Sequence, residues 1–253
     1  MEHNASIADI GYFLEKYGKK KNLKLLDIGC SDGKKALGFL AQEKFKGIAY
    51  TGLDSVYWDE NKDLKPISSK RRIFIYGDAC DLPFSDEKFD LVILSHVFEH
   101  IQDSEKLCSE INRVVKKEGK ILLIVPLEKG SIAGFINRHK NLWKYIRVIL
   151  NNLKIFPYRA ISPHIQFKSY KEYLDFFEKK FKIVESYARG SFEMLFISAM
   201  HENIIGFGRQ KINLSELIKN YFPRFFHNTY RKNRYFKLNA VFVLTPIEIK
   251  ISR

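Results

Sequence analysis

Two glycines four residues apart, Gly29 and Gly33, with carboxylates recurring at strand-length and helix-length intervals behind them, are the residues of this chain best suited to hold a ligand. Leu25-Leu26-Asp27-Ile28 is the short apolar run of a strand covered on both faces, and Gly29 ends it. The turn Gly29-Cys30-Ser31-Asp32-Gly33 carries little side-chain bulk, so main-chain N–H groups can approach a ligand while a helix from about Lys34 points its positive end at the same place. Such a turn suits a ligand with polar, ribose-like edges. Asp54 lies 21 residues beyond Gly33 and ends a second strand-like run, Ile48 to Leu53. In a parallel sheet that carboxylate sits beside the glycine turn, where it can accept hydrogen bonds from two ribose hydroxyls. A third run, Arg72 to Tyr76, ends in Gly77-Asp78-Ala79, and a fourth, Phe89 to Leu94, ends in Ser95-His96.

The elements that must position these residues follow from periodicity. Ile7, Ile10, Phe13, Leu14 and Tyr17 recur at helical spacing and predict a leading helix over residues 7–21, either as a lid near the ligand or as a cover for the sheet edge. Asp103 can cap a helix carrying Leu107, Ile111 and Val114 that ends before Gly119, and Lys120 to Val125 then makes a fifth strand stopped by Pro126. Ser169 caps a helix from Tyr170 to Lys179, Phe181 to Glu185 reads as a sixth strand, and Leu238 to Leu244 as a last one. Strand–helix units joined by right-handed crossovers give an α/β, doubly wound sheet.

At this point the sequence resembles the class I S-adenosylmethionine-dependent methyltransferases, in particular the group acting on small molecules and lipid precursors. Leu26 to Gly33 is similar to their glycine-rich first motif, with Ser31 where the family often has a middle glycine. Gly52-Leu53-Asp54-Ser55 resembles the second motif and Gly77 to Phe84 the third, while Phe89 to Val92, Ser95 to Ile101, Arg113-Val114 and Lys116 to Lys120 match the pattern closing the family's core. The resemblance is close over residues 20–126 and looser over 160–188. It implies a mainly parallel seven-stranded sheet with an antiparallel last strand and helical cap insertions. It also implies S-adenosyl-L-methionine as cofactor, with Asp27, Gly29, Cys30, Ser31 and Gly33 around the methionine part, Asp54 with Ser55 at the ribose, and Asp78 with Ala79 at the adenine edge. Ser95 and His96 would line the floor beneath the reactive methyl, and a histidine in the position of His164 often faces the substrate. Methyl transfer from a sulfonium mainly needs the acceptor aligned and, for a hydroxyl, deprotonated. A group titrating near neutrality suits that task, so His96 and His164 are the candidate bases.

Composition divides the chain. Residues 1–126 hold 20 of the 43 Lys/Arg and 20 of the 29 Asp/Glu, so the whole excess of +14 falls in residues 127–253. No acidic residue occurs from Lys129 through Lys171, where Leu142, Tyr145, Ile146, Ile149, Leu150 and Leu153 follow helical spacing with Lys144, Arg147 and Lys154 opposite. This basic amphipathic helix either caps the site or lies on an anionic membrane surface. A further segment mixes Tyr221, Phe222, Phe225 and Phe226 with Lys219, Arg224 and Arg231, a pattern fitting nucleic acid, lipid headgroups or a neighbouring subunit.

The expected organisation is one methyltransferase domain over residues 1–253. Within it lie a cofactor-binding core at 22–126, a basic cap at 127–165, sheet completion at 166–190 and 238–248, and a basic-aromatic insertion at 191–237. The start of the chain lacks a secretory pattern and no apolar run approaches about 20 residues, so a cytoplasmic protein with peripheral contact at the inner membrane surface is expected. Cys30, Cys80 and Cys108 form neither a metal-ligand pair nor a disulfide framework, and no metal is expected. The favoured function is O-methylation of a small or lipid-linked acceptor, such as a glycan, quinone or polyprenyl-type precursor. The alternatives are an RNA methyltransferase using the basic half and a cofactor-binding protein without catalysis. Against RNA, the chain lacks an Asn-Pro-Pro-Tyr-like motif and a cysteine placed as a nucleophile.

Overall fold

A computed structural model describes residues 2–55, 71–127, 166, 168–189 and 239–247. The basic cap helix, the basic-aromatic insertion and His164 lie outside the described residues.

The strands are β1 (Lys24–Ile28), β2 (Ala49–Asp54), β3 (Arg72–Tyr76), β4 (Phe89–Ser95), β5 (Val115–Pro126), β6 (Phe181–Arg189) and β7 (Asn239–Pro246). They form one seven-stranded sheet in the order β3-β2-β1-β4-β5-β7-β6. β1 to β5 pair in parallel, and β7 runs antiparallel between β5 and β6. The order reverses between β1 and β4, which run side by side with Ile28 opposite Leu94. A crevice at the carboxyl ends of strands at such a reversal is where open α/β sheets bind ligands. The Gly29 turn and the Ser95-His96 strand end both fall there.

Alternation along the buried strands supplies two core layers. Leu26, Ile28, Val92, Leu94, Ile121 and Leu123 face one side, where they meet Leu107, Cys108 and Ile111 of α3 (Ser104–Val114) and Tyr173 and Phe177 of α4 (Tyr170–Glu178). Leu25, Leu91, Ile93, Leu122 and Ile124 face the other, covered by Ile10, Phe13 and Leu14 of α1 (Glu2–Tyr17) and by Ala36, Leu37 and Leu40 of α2 (Lys34–Leu40).

The expected caps are present. Asp103 Oδ1 accepts from the Lys106 N–H at 2.9 Å. Ser169 and Glu172 form a reciprocal capping box, with Ser169 N–H donating to Glu172 Oε2 at 2.7 Å and Glu172 N–H to Ser169 Oγ at 3.3 Å.

Boundaries differ most at α1, at the junction of α3 with β5, and at β6, which runs to Arg189 rather than Glu185. α1 begins at residue 2 rather than 7 and ends at Tyr17, where Gly18 N–H closes onto Leu14 O at 2.7 Å and the expected basic turn Gly18-Lys19-Lys20-Lys21 follows. α3 gives way to β5 at Val115 without an intervening loop, since Phe89 pairs with Val115 and the register shifts before Leu91 meets Lys120. A Cβ on Gly119 would lie 2.5 Å from Val115 Cγ1, so this irregularity needs glycine there.

Candidate functional site

The turn after β1 is wound tightly in the left-handed region, with Gly29 at φ 68°, Ser31 at 51° and Gly33 at 73°. A Cβ on Gly29 would stand 2.1 Å from Val97 Cγ2, so the loop after β4 touches this turn and only glycine lets it do so. The turn's amides are committed internally. Gly29 and Cys30 N–H both donate to Leu53 O, at 2.7 and 3.2 Å, and Gly33 N–H donates to Cys30 O at 2.8 Å. Ser31 N–H donates to Asp54 Oδ2 at 2.7 Å. β2 thus supplies the acceptors for three of the turn's amides and Cys30 O the acceptor for that of Gly33, so these four N–H groups bond within the protein and what they offer a ligand is the shape of the turn.

Asp54 is the hub of the site. Its carboxylate holds the β1 turn at Ser31, and its carbonyl accepts from Gly77 N–H at 3.0 Å, which ties the end of β3 to the same point. Asp78 follows at once and closes its own loop through Cys80 N–H, 2.8 Å from Oδ1. Ala79 is buried and small. Ser55 is exposed at the rim beside Asp54. The segments expected at the ribose and adenine are thus joined to the glycine turn by two hydrogen bonds that meet at Asp54.

Asp27 lies beneath the turn, 5% exposed, and accepts from Tyr50 Oη–H at 2.9 Å. Burial pushes its carboxyl up to about 7, partly opposed by that hydrogen bond. Tyr50 reads in the sequence as one more core aromatic of β2. Only the pairing of β1 with β2 shows its hydroxyl meeting a carboxylate.

Burial also raises the thiols of Cys30 and Cys80, and that of Cys108 to about 12. None of the three cysteines is set up as a thiolate nucleophile.

At the end of β4, Ser95 is buried and its Oγ has no hydrogen-bond partner among the described residues. His96 follows at φ 59°, a left-handed conformation for a residue with a side chain, pinned by its N–H on Ile124 O at 3.0 Å. The imidazole Nε2 lies 3.0 Å from Ser6 Oγ of α1, and Nδ1 lies 3.4 Å from Glu99 Oε1. Glu99, in the short helical turn Phe98–His100, is fully buried.

Ser6 and Glu99 were invisible as site residues in the sequence. The signal available for Glu99 was a carboxylate three places after His96 in the apolar run Val97-Phe98-Glu99-His100-Ile101. Ser6 sits in the first turns of α1, where nothing in the spacing points to β4.

α1 is strapped over this end of the sheet. Asp9 Oδ1 accepts from Tyr187 Oη–H at 3.0 Å. Glu185 gathers the Tyr12 and Tyr17 hydroxyls, at 3.2 and 2.8 Å, together with the Lys16 ammonium.

The donor set fits a nucleoside-bearing ligand. A carboxylate stands at the meeting point of three strand ends, Ala79 after β3 is small and buried, and the buried Ser95 hydroxyl at the end of β4 has no partner among the described residues. Among the described residues no cluster of His, Cys, Asp and Glu could hold a metal ion.

Residues 26–123 match the family model described as Methyltransferase domain. An uncharacterized protein of Methanocaldococcus jannaschii is 28% identical over 140 residues, which is 53% of this chain and 68% of that protein. A demethylmenaquinone methyltransferase of Bacillus cereus is 25% identical over 166 residues, 63% of this chain and 70% of that enzyme. A solved SAM-dependent methyltransferase from Archaeoglobus fulgidus shares the fold, with a TM-score of 0.56 at 20% identity, over 96% of this chain and 94% of that one.

Proposed function

We propose that this chain, whose residues 26–123 match a methyltransferase-domain model, is a class I S-adenosylmethionine-dependent methyltransferase and that it methylates a hydroxyl of a small or lipid-linked acceptor such as a glycan, quinone or polyprenyl-type precursor. The observation that carries the reading is the junction at Asp54, where the ends of β1, β2 and β3 are bonded into one rim. In this reading Asp54 with Ser55 holds the ribose, Asp78 and Ala79 meet the adenine, and Asp27, Gly29, Cys30, Ser31 and Gly33 shape the pocket of the methionine part. The cofactor supplies a methyl group activated on a sulfonium sulfur. The chain's own work is to exclude water, align the acceptor beneath Ser95 and His96, and accept its proton.

Two observations favour a small or lipid-linked acceptor. The Bacillus cereus relative takes its name from a quinone. The excess of positive charge sits wholly in residues 127–253, which suits an acceptor carried at an anionic membrane surface. No helix among the described residues is long and apolar enough to cross a membrane. The buried, raised thiols count against the cysteine-dependent kind of RNA methylation.

A labelled-methyl transfer assay tests the reading, with a lipid extract, a metabolite extract and RNA as parallel substrates. Label in a base-stable ether of the lipid or metabolite fraction is the expected result. Label in RNA alone would replace this reading with the nucleic-acid one.

A further inference from the structure

Glu99 is the anomaly of the site. It is 0% exposed, and neither carboxylate oxygen has a hydrogen-bond partner among the described residues. Burying a carboxylate in this way costs several kcal/mol unless a cation or strong donors stand close. The donors in reach are two imidazoles, His96 Nδ1 at 3.4 Å and His100 Nε2 at 3.9 Å from Oε1. His96 is the nearer and the more enclosed, at 16% side-chain exposure against 32% for His100. It is also the one whose backbone is held at φ 59°, an unfavourable conformation for a residue with a Cβ.

The other edge of the ring completes the pattern, since Nε2 meets the Ser6 hydroxyl at 3.0 Å. An ionised carboxylate only accepts, so an imidazole beside it carries its proton on the facing nitrogen and leaves the far nitrogen as the acceptor. Contacts of this kind are often long in an unliganded site and shorten when substrate is bound. Val97, between the two residues, lies against Gly29, so the pair stands at the β1 turn and not at a remote surface.

We propose that Glu99 is the positioning residue of this site: it fixes His96 with the proton on Nδ1, so that Nε2 is the ring's acceptor end, held by the buried Ser6 hydroxyl until α1 shifts and the acceptor hydroxyl takes that place with Nε2 as its base. The assignment rests on the O-methyltransferase reading and supplies its proton path. The acceptor O–H bond breaks and its proton passes to Nε2, while the oxygen's electron pair forms the new bond to the methyl carbon. The electrons of the broken carbon–sulfur bond remain on sulfur. The imidazolium produced is neutralised across 3.4 Å by Glu99 until solvent takes the proton.

Nitrogen-15 NMR of the histidine rings at alkaline pH tests the positioning role without an acceptor. Wild-type His96 is expected as the Nδ1–H tautomer, and Glu99→Gln as a mixture or as Nε2–H. Labelled-methyl transfer to the lipid extract is expected to fall about 10²-fold in Glu99→Gln. Thermal stabilisation of that variant by S-adenosylhomocysteine is expected to equal that of the wild type. An Nε2–H tautomer in the wild type, or equal transfer rates in the two proteins, would overturn the proposal. Absence of any response to S-adenosylhomocysteine in the wild type would instead sink the methyltransferase reading, and the tautomer would still decide the role of Glu99.

Discussion

At the scale of single residues the site is built on compromises that can be measured. Asp27 is a carboxylate buried beneath the turn, with Tyr50 as its hydrogen-bond donor. Its folded value, raised to about 7 by burial, lies above the ordinary carboxylate range near 4. Between about pH 4 and pH 7 the folded chain keeps a proton that the unfolded chain releases, so the contribution of Asp27 is fully present below pH 4 and lost as pH rises to 7. Asp27→Asn removes that loss. Chemical denaturation should show the variant gaining on the wild type by roughly 2–4 kcal/mol between pH 4 and pH 7, and no further above. A difference that stays constant across that range would mean Asp27 is already ionised at low pH. Gly29, Gly33, Asp54 and Asp78 were legible in the sequence because strand-end glycines and carboxylates leave a spacing. Tyr50, Ser6 and Glu99 were not, because a hydroxyl or carboxylate inside an apolar pattern shows its partner only after strands pair and helices pack.

Elements were legible wherever their ends carry local chemistry. Asp103 and Ser169 announce α3 and α4 because a cap bonds to an amide three residues away, within the reach of sequence pattern. β5 was read short because its first residues, Val115-Lys116-Lys117-Glu118-Gly119, are mostly polar, and a register shift is what admits them to the sheet. The first turn of α1 was missed for a similar reason, since it has no apolar stripe until Ile7. What α1 does depends on non-local bonds to β6, at Asp9 and Glu185, some 170 residues away in the chain. Tyr187→Phe deletes one of them and leaves a buried carboxylate short of a donor. It should cost about 1–3 kcal/mol in denaturant unfolding and accelerate amide exchange in α1 more than in α3. Equal acceleration in the two helices would show that the bond does not serve α1 in particular.

For the molecule as a whole, a doubly wound sheet is legible from the alternation of strand and helix patterns and the antiparallel last strand comes with the family resemblance, whereas the strand order shows only in the pairing. The uneven charge adds a prediction about surroundings. With a neutral residue 1–126 and +14 on the remainder, association with anionic vesicles should weaken steeply as salt is raised. Lys144→Glu with Arg147→Glu should weaken vesicle sedimentation on the order of tenfold or more, at about 1 kcal/mol for each basic residue near the surface. Sedimentation unchanged by the pair would remove the membrane from the account.

The central claim is that the junction at Asp54 holds an adenosine bearing an activated methyl, and one titration tests it most directly. S-adenosylhomocysteine, titrated calorimetrically into the wild type and into Asp54→Ala, should bind the first and lose about tenfold or more in affinity for the second, with no heat from NAD in either. Equal affinity of the two proteins for S-adenosylhomocysteine, or binding of NAD with matching strength, would contradict it.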